Sequence, residues 1–399
     1  MKTKLSIAAL VAGGMMVVTT GTASAADLGG DCCADLEERV ATLEATTARK
    51  GNRKVSLQIY GQVNQSLLIW DDGQTSDAYV VDNDSSASRI GFKGKARINS
   101  DWSAGYRIEI GVYSAESDRV DQGENDGDTA AGENLGDDGD GSRLDIRRSE
   151  MYIKSKTLGK VTWGLTSHAL DSTTTSDLSG THVVARNGGL RYVEDFFIAN
   201  SAGGLTNTRW GAIFDGDTEL DRRNVIRYDT PTFAGFKVSA SWGEDDEWSV
   251  AAFYKGRFDQ FKVKASIGYG EDQEGTGASK SENFNGSASI MHTPTGIFVT
   301  GSAGEKSKGD GVDETFYQIK AGVQQRWNAL GKTTLYGEYV NGETDDVGEG
   351  DIYGFGVVQK VDAAAMELYA GFRHYEADLN NGVATEDFVT VVTGARIKF

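Results

Sequence analysis

A two-residue alternation runs in separate segments from Val55 to the last residue, Phe399, and limits the folds open to the chain. In "VSLQIYGQVNQSLLIW" the apolar Val55, Leu57, Ile59, Val63, Leu67 and Ile69 fall on one face of an extended strand, and Gln58, Tyr60, Gln62, Asn64 and Ser66 on the other. "SRIGFKGKARIN" repeats the pattern, setting Ile90, Phe92, Ala96 and Ile98 against Arg89, Lys93, Lys95 and Arg97. "NSD" then turns the chain, and Tyr106, Ile108, Ile110 and Val112 oppose Arg107 and Glu109. One face of these strands wants hydrocarbon and the other water. A soluble sheet around an ordinary core also alternates, so the pattern sets the local structure and leaves the architecture open.

The connections narrow the choice. Sixteen strand-like segments follow one another, and on one side the links are tight: "NSD", "KTL", "TPTFA", "GRFDQ", "TP", "WNALG" and "DA". On the other side several are long, polar and acidic, including residues 116–142, "EDQEGTGASKSEN" and "NGETDDVGEG". Short turns on one rim, long loops on the other and an even strand count are the pattern of a transmembrane barrel. After residue 25 no apolar run approaches the ~18 residues a spanning helix needs. The mean hydropathy of -0.40 does not oppose a barrel, whose lipid-facing and water-facing residues average out. The 51 glycines and only 2 prolines suit β structure, and Pro231 and Pro294 both sit in short turn signals.

The chain ends "TGARIKF", with Ala395, Ile397 and Phe399 on one face and Gly394, Arg396 and Lys398 on the other. A finished strand at a terminus asks for a partner, and a barrel supplies one in Val55–Trp70, because no sheet edge survives in hydrocarbon. Phe399 is then expected in the aromatic girdle of the short-turn rim.

At the other end, Lys2 and Lys4 precede an apolar stretch from Leu5 to Val18, followed by Ala23-Ser24-Ala25. This reads as a secretory signal peptide over 1–25, cut after Ala25. Its loss removes two lysines and takes the formal charge from -19 to -21, a balance that argues against nucleic acid as a partner. Residues 26–54 read as a periplasmic helical segment and linker. Cys33, Leu36, Val40 and Leu43 form a short heptad seam, and "KGNRK" separates it from the barrel at 55–399. Cys32 and Cys33 are adjacent and rarely bridge each other, which leaves a mobile pair or an inter-chain bridge near a symmetry axis.

Residues 168–222 are too long for a simple connection and carry Phe196, Phe197, Trp210 and Phe214, which need something to pack against. A constriction loop folded into the barrel meets that need; a cap over a trimer surface is the other reading. The segment 116–140 carries ten carboxylates without the ordered ligand spacing of a calcium loop. It reads as a hydrated cell-surface loop, with a divalent cation shared with lipopolysaccharide as the alternative.

Several stretches in order resemble general bacterial porins: "KVSLQIYGQVNQSLLIWDDG", "SRIGFKGKARINSDWSAGYRIEI" and "RRNVIRYDTPTFAGFKVSASW". "STTTSDLSGTHVV" and the final Phe resemble the alphaproteobacterial branch. Gly394, Ile397 and Phe399 match the terminal signal that outer-membrane barrels present to the insertion machinery. The resemblance implies an all-β, sixteen-stranded antiparallel barrel in the outer membrane. It further implies a water-filled homotrimeric channel for ions and small hydrophilic solutes, narrowed by an inward-folded third long loop. It also implies basic wall residues facing acids on that loop. Arg89 and Lys93 match the wall best, with Lys95 and Arg97 in the same ladder; Arg148 follows, because the parity of "RRSEMYIKS" turns it inward with Glu150, and then Arg107. Glu194, Asp195, Asp215 and Asp217 are the candidate loop acids. The heptad segment falls outside the resemblance and is treated as an added trimer stalk.

No enzyme motif competes. H-E-x-x-H is absent, "GKT" at 331–333 has Arg326 where a P-loop needs glycine, and "GFG" at 354–356 continues as Val357-Val358-Gln359. No cofactor is expected. A secreted β-rich adhesin and a solute-specific channel, with Tyr192, Phe197 and Trp210 as a sugar track, remain as alternatives. The acid-rich mouths lead us to expect a weak cation preference.

Overall fold

The computed structural model describes residues 54–123, 143–188, 192–214, 218–220, 222–273, 280–308 and 311–399. The signal peptide, the heptad segment with Cys32 and Cys33, most of the acidic segment 116–142, and Asp215 and Asp217 lie outside the described residues.

Sixteen strands form the wall. They are β1 (Gln58–Asp71), β2 (Arg89–Arg97), β3 (Trp102–Tyr113), β4 (Arg143–Ser155), β5 (Gly159–Ser167), β6 (Arg222–Asp229), β7 (Phe236–Gly243) and β8 (Trp248–Phe258). The circuit continues with β9 (Phe261–Gln273), β10 (Lys280–His292), β11 (Ile297–Lys308), β12 (Asp313–Gln325), β13 (Thr333–Thr344), β14 (Gly348–Val361), β15 (Met366–Leu379) and β16 (Phe388–Lys398). Each pairs antiparallel with its sequence neighbours, and β16 returns to β1. The closing register sets Val63 opposite Ile397 and Ser66 opposite Gly394. Gly61 N–H donates to the carbonyl of Phe399 at 2.9 Å, and Phe399 N–H donates back to Gly61 at 3.1 Å. The last residue is therefore paired, and no ladder edge is left between the chain ends.

The alternation is realised as a barrel turned inside out relative to a soluble protein. Lipid-side positions stay exposed, such as Ile226 at 55%, Trp242 at 56% and Ile267 at 51%. Their sequence neighbours Gln62, Asn64, Ser239, Ser266, Ser287 and Thr300 point inward and are buried.

Three differences from the sequence reading have physical causes. A short strand, Ser76–Asp82, folds back on the upper half of β1, so β2 meets only Gln58–Gln62. The described residues of "EDQEGTGASKSEN" and most of "NGETDDVGEG", expected as loops, are strand, because β9, β10, β13 and β14 continue their ladders into polar sequence that pairs equally well in water. Finally, β3 and β4 lose register between Glu109 and Ile110, where Arg148 faces Glu109 and Ile146 faces Ile110. The extra residue of this β-bulge is Arg147.

Candidate functional site

The segment after β5 enters the barrel and lines its inner wall. Its backbone is irregular, so its N–H and C=O groups need partners that a regular ladder does not provide. Small hydroxyl side chains on the inner face of β7–β13 provide them. Ser241 Oγ accepts from Ala169 N–H at 2.8 Å, Ser287 Oγ from Ser176 N–H at 2.8 Å and Ser289 Oγ from Leu178 N–H at 3.1 Å. Ser266 Oγ donates to the carbonyl of Thr173 at 2.7 Å, and Thr334 Oγ1 to that of Ser179 at 3.2 Å. Beyond these, Lys320, fully buried, extends its Nζ to Asp177 Oδ2 at 2.9 Å, to the carbonyl of Ala185 at 2.6 Å and to Asn187 Oδ1 at 2.9 Å. Burial alone would raise the pKa of Asp177, but the Lys320 charge and hydrogen bonds from Ser179 overcome it and bring it down to about 2.

The second half of the loop packs higher in the barrel. A two-stranded hairpin (Phe197–Ala199 with Leu205–Arg209) leads into a one-turn helix, α1 (Gly211–Phe214). Phe196 lies 5.2 Å from Trp70 and 5.1 Å from Phe388, and Trp210 lies 5.6 Å from Tyr375, ring centre to ring centre. The ring of Phe214 rests on Gly342 and Gly350, where a Cβ would come within 2.7 and 2.6 Å of it. Apolar packing thus fixes this half of the loop, and buried hydrogen bonds fix the other.

Between the deep part of the loop and strands β2–β5 lies a cavity of about 420 Å³. Among the described residues, seven arginines (Arg89, Arg107, Arg119, Arg147, Arg148, Arg186 and Arg222) and seven acids (Asp84, Glu109, Glu116, Asp118, Asp145, Asp171 and Glu219) line it. On the wall, Arg107 Nε meets Glu150 Oε1 at 3.0 Å, Arg147 Nε meets Glu109 Oε1 at 3.3 Å, and Tyr60 donates to Glu109 Oε2 at 2.9 Å. Across the gap, Arg148 Nη2 stands 3.9 Å from the loop carboxylate of Asp171; within the loop, Arg186 stands 4.0 Å from Glu219. Thr174 holds Glu219 from its N–H and its hydroxyl, both at 2.6 Å. Burial and the neighbouring Asp171 charge raise the pKa of Glu219. For Asp171, burial is outweighed by a hydrogen bond from Ser167 and by the charges of Arg148 and Arg222, so its pKa falls.

Of the residues expected on the basic wall, Arg89, Arg107 and Arg148 line this cavity. Lys93, Lys95 and Arg97 do not; they descend β2 toward the short-turn rim. Lys93 Nζ sits 4.9 Å from the Tyr60 ring, and Arg97 Nε donates to the carbonyl of Asn99 at 3.0 Å. Glu194 and Asp195 lie elsewhere, in a second cavity with Arg209, Asp346 and Asn381, where Asp195 Oδ1 pairs with Arg209 Nη1 at 2.6 Å. The hairpin they precede is carried up by its aromatic packing, away from β2–β5. The acids facing the arginines are instead Asp171 and Glu219, each within a few residues of a strand end. That short tether is a sequence signal that could have found them. Arg147 had no such signal, since strict alternation assigns it to the lipid face and only the bulge turns it inward.

A closed antiparallel barrel with an apolar outside, a polar lumen and an inward loop bearing matched charges defines a channel of the outer membrane. The chain belongs to the Gram-negative porin family, whose family model matches residues 8–381. It is an outer-membrane porin, a channel for passive diffusion. In fold it is similar to an anion-selective porin from Comamonas acidovorans (TM-score 0.60, 16% identity, covering 86% of this chain and 100% of that one). It is also similar to the trimer form of OmpT, an outer membrane protein of Vibrio cholerae (TM-score 0.55, 17% identity, 86% and 99%). A third similar structure is Salmonella typhi OmpF in complex with daunomycin (TM-score 0.52, 14% identity, 88% and 99%). No curated protein matches the chain in sequence.

Proposed function

We propose that this porin is a general, non-enzymatic diffusion channel of the alphaproteobacterial branch, passing ions and small hydrophilic solutes. The observation that carries this reading is the charge-lined cavity, where wall arginines such as Arg89, Arg107 and Arg148 face the loop acids Asp171 and Glu219. Opposed charges across a narrow aqueous gap between low-dielectric walls produce a strong transverse field. Ions and dipolar solutes align in that field, while bulky apolar ones lose hydration and gain nothing. A sugar track is not supported, because Tyr192 and Trp210 are buried at 1% and 0% exposure and Arg209 covers Phe197 at 4.7 Å.

The functional unit is a homotrimer, a state supported by the trimeric neighbour in fold. The chain is exported by the signal peptide cut after Ala25 and inserted through Gly394, Ile397 and Phe399, and it meets lipid and lipopolysaccharide on its apolar belt. No cofactor belongs to the reading; a divalent cation at the acidic outer loops would be a surface ligand only. Single-channel conductance of the mature protein in a planar bilayer tests it. Large, stable steps that close in three sub-levels are expected, and silence from folded, inserted protein would overturn it.

A further inference from the structure

Below the constriction, β8 and β9 place like charges directly opposite one another. Lys255 pairs in register with Lys264, and Arg257 with Lys262. The lipid side of these strands is taken by Val250, Phe258, Phe261 and Ile267, all exposed, so the four cations point into the lumen. Cross-strand partners lie ~5 Å apart at Cβ, and successive inward residues on a strand ~7 Å apart, so the four form one compact ledge.

Like charges in this arrangement repel, and the usual remedy is an interleaved acid. Among the described residues, none of the four takes part in an ion pair. The acids that face them are engaged or peripheral. Asp177 is bound by Lys320, Asp362 pairs with Arg326, and Glu367 is shared by Arg396, Lys398 and Lys360. Asp259 sits in the exposed turn between the two strands. Among the described residues, Lys264 Nζ donates only to a carbonyl, that of Thr175, at 3.3 Å. Lys332, in the turn before β13, has its pKa lowered first by burial and then by Lys262, Lys360 and Arg326, so the positive field extends beyond the ledge.

We propose that the Lys255–Lys264 and Arg257–Lys262 pairs form a binding station for multivalent oxyanions in the periplasmic half of the lumen. Two or more negative oxygens bridging the pairs relieve the repulsion that a single chloride leaves in place, and Arg257 adds a planar two-donor fork. The station deepens the diffusion-channel reading and rests on it for the ledge's access to solute.

The test is calorimetric titration of inorganic pyrophosphate into the folded mature protein in detergent at low salt, beside the K255Q/K262Q double variant. Saturable binding is expected, weakened roughly tenfold or more in the variant and weakened by added salt. Equal affinity in both proteins, or no saturable heat, would overturn it. Should the double variant fail to give a heat-modifiable band, R257Q alone takes its place and is expected to weaken binding several-fold. In bilayers, pyrophosphate should reduce the current when added on one side only; equal reduction from both sides counts against a periplasmic station. A channel silent in bilayers would remove the general diffusion-channel reading, whereas calorimetry would still decide the site.

Discussion

Asp177 Oδ2 and Lys320 Nζ lie 2.9 Å apart, and this buried pair fastens the inward loop to β12. Lys320→Met leaves the Asp177 carboxylate buried without its counter-ion, at a cost of about 3–5 kcal/mol. The expected result is a flickering single-channel current and a lower melting temperature for the folded barrel. A quiet channel with unchanged melting would show that the serine track alone holds the loop.

The same pair sets a pH window. Asp177 has its pKa lowered to about 2, so its contribution to stability is fully present above the ordinary aspartate pKa and is lost as pH falls through about 2. Current noise is expected to stay flat from neutral pH down to about 4 and to rise only below that. Noise that already grows near pH 6 would place the control elsewhere.

Glu219 and Asp171 should titrate apart. With its pKa raised, Glu219 takes up a proton above the ordinary glutamate range, whereas Asp171, with its pKa lowered, keeps its charge further down. For a carboxylate raised in the folded state, the native form is stabilised as pH falls through that pKa. Acidification from neutral pH should therefore move the reversal potential toward anions in an early step that Glu219→Gln abolishes. An early step that survives in Glu219→Gln belongs to another acid.

Wall arginines should outweigh the lower basic ladder in selectivity. Arg89→Gln or Arg148→Gln removes a charge from the cavity, whereas Lys95→Gln removes one from outside it, nearer the short-turn rim. The first two should shift the reversal potential toward cations more than the third. The difference should shrink at about 1 M salt, where charges are screened within about 3 Å. Equal shifts from all three would mean that the cavity is not the narrow point.

The closing seam is sensitive to a single glycine. A Cβ at Gly61 would meet Phe399 Cζ at 2.5 Å and the carbonyl of Arg89 at 2.6 Å. Gly61→Val is expected to reduce the heat-modifiable, folded fraction, as is deletion of Phe399. Normal yields of folded protein from both would remove this seam from assembly.

The wall was legible in the order of the residues. Alternation, the sorting of tight turns from longer links and the terminal strand were enough for sixteen strands closing β16 on β1, because each signal is local: a parity, a turn or an end. That order also placed Arg89, Arg107 and Arg148 on the inward face, since parity holds wherever the ladder is regular. Which charges meet was set by long-range packing instead. Arg147 enters the lumen through a bulge formed between two strands. Glu194 and Asp195 leave the arginines because aromatic packing of Phe196, Trp210 and Phe214 lifts their part of the loop. Asp171 and Glu219 face the wall because Lys320 and the serine track hold the rest of the loop down. The path of that loop is the sum of many weak contacts with residues far along the chain, and no local pattern records it.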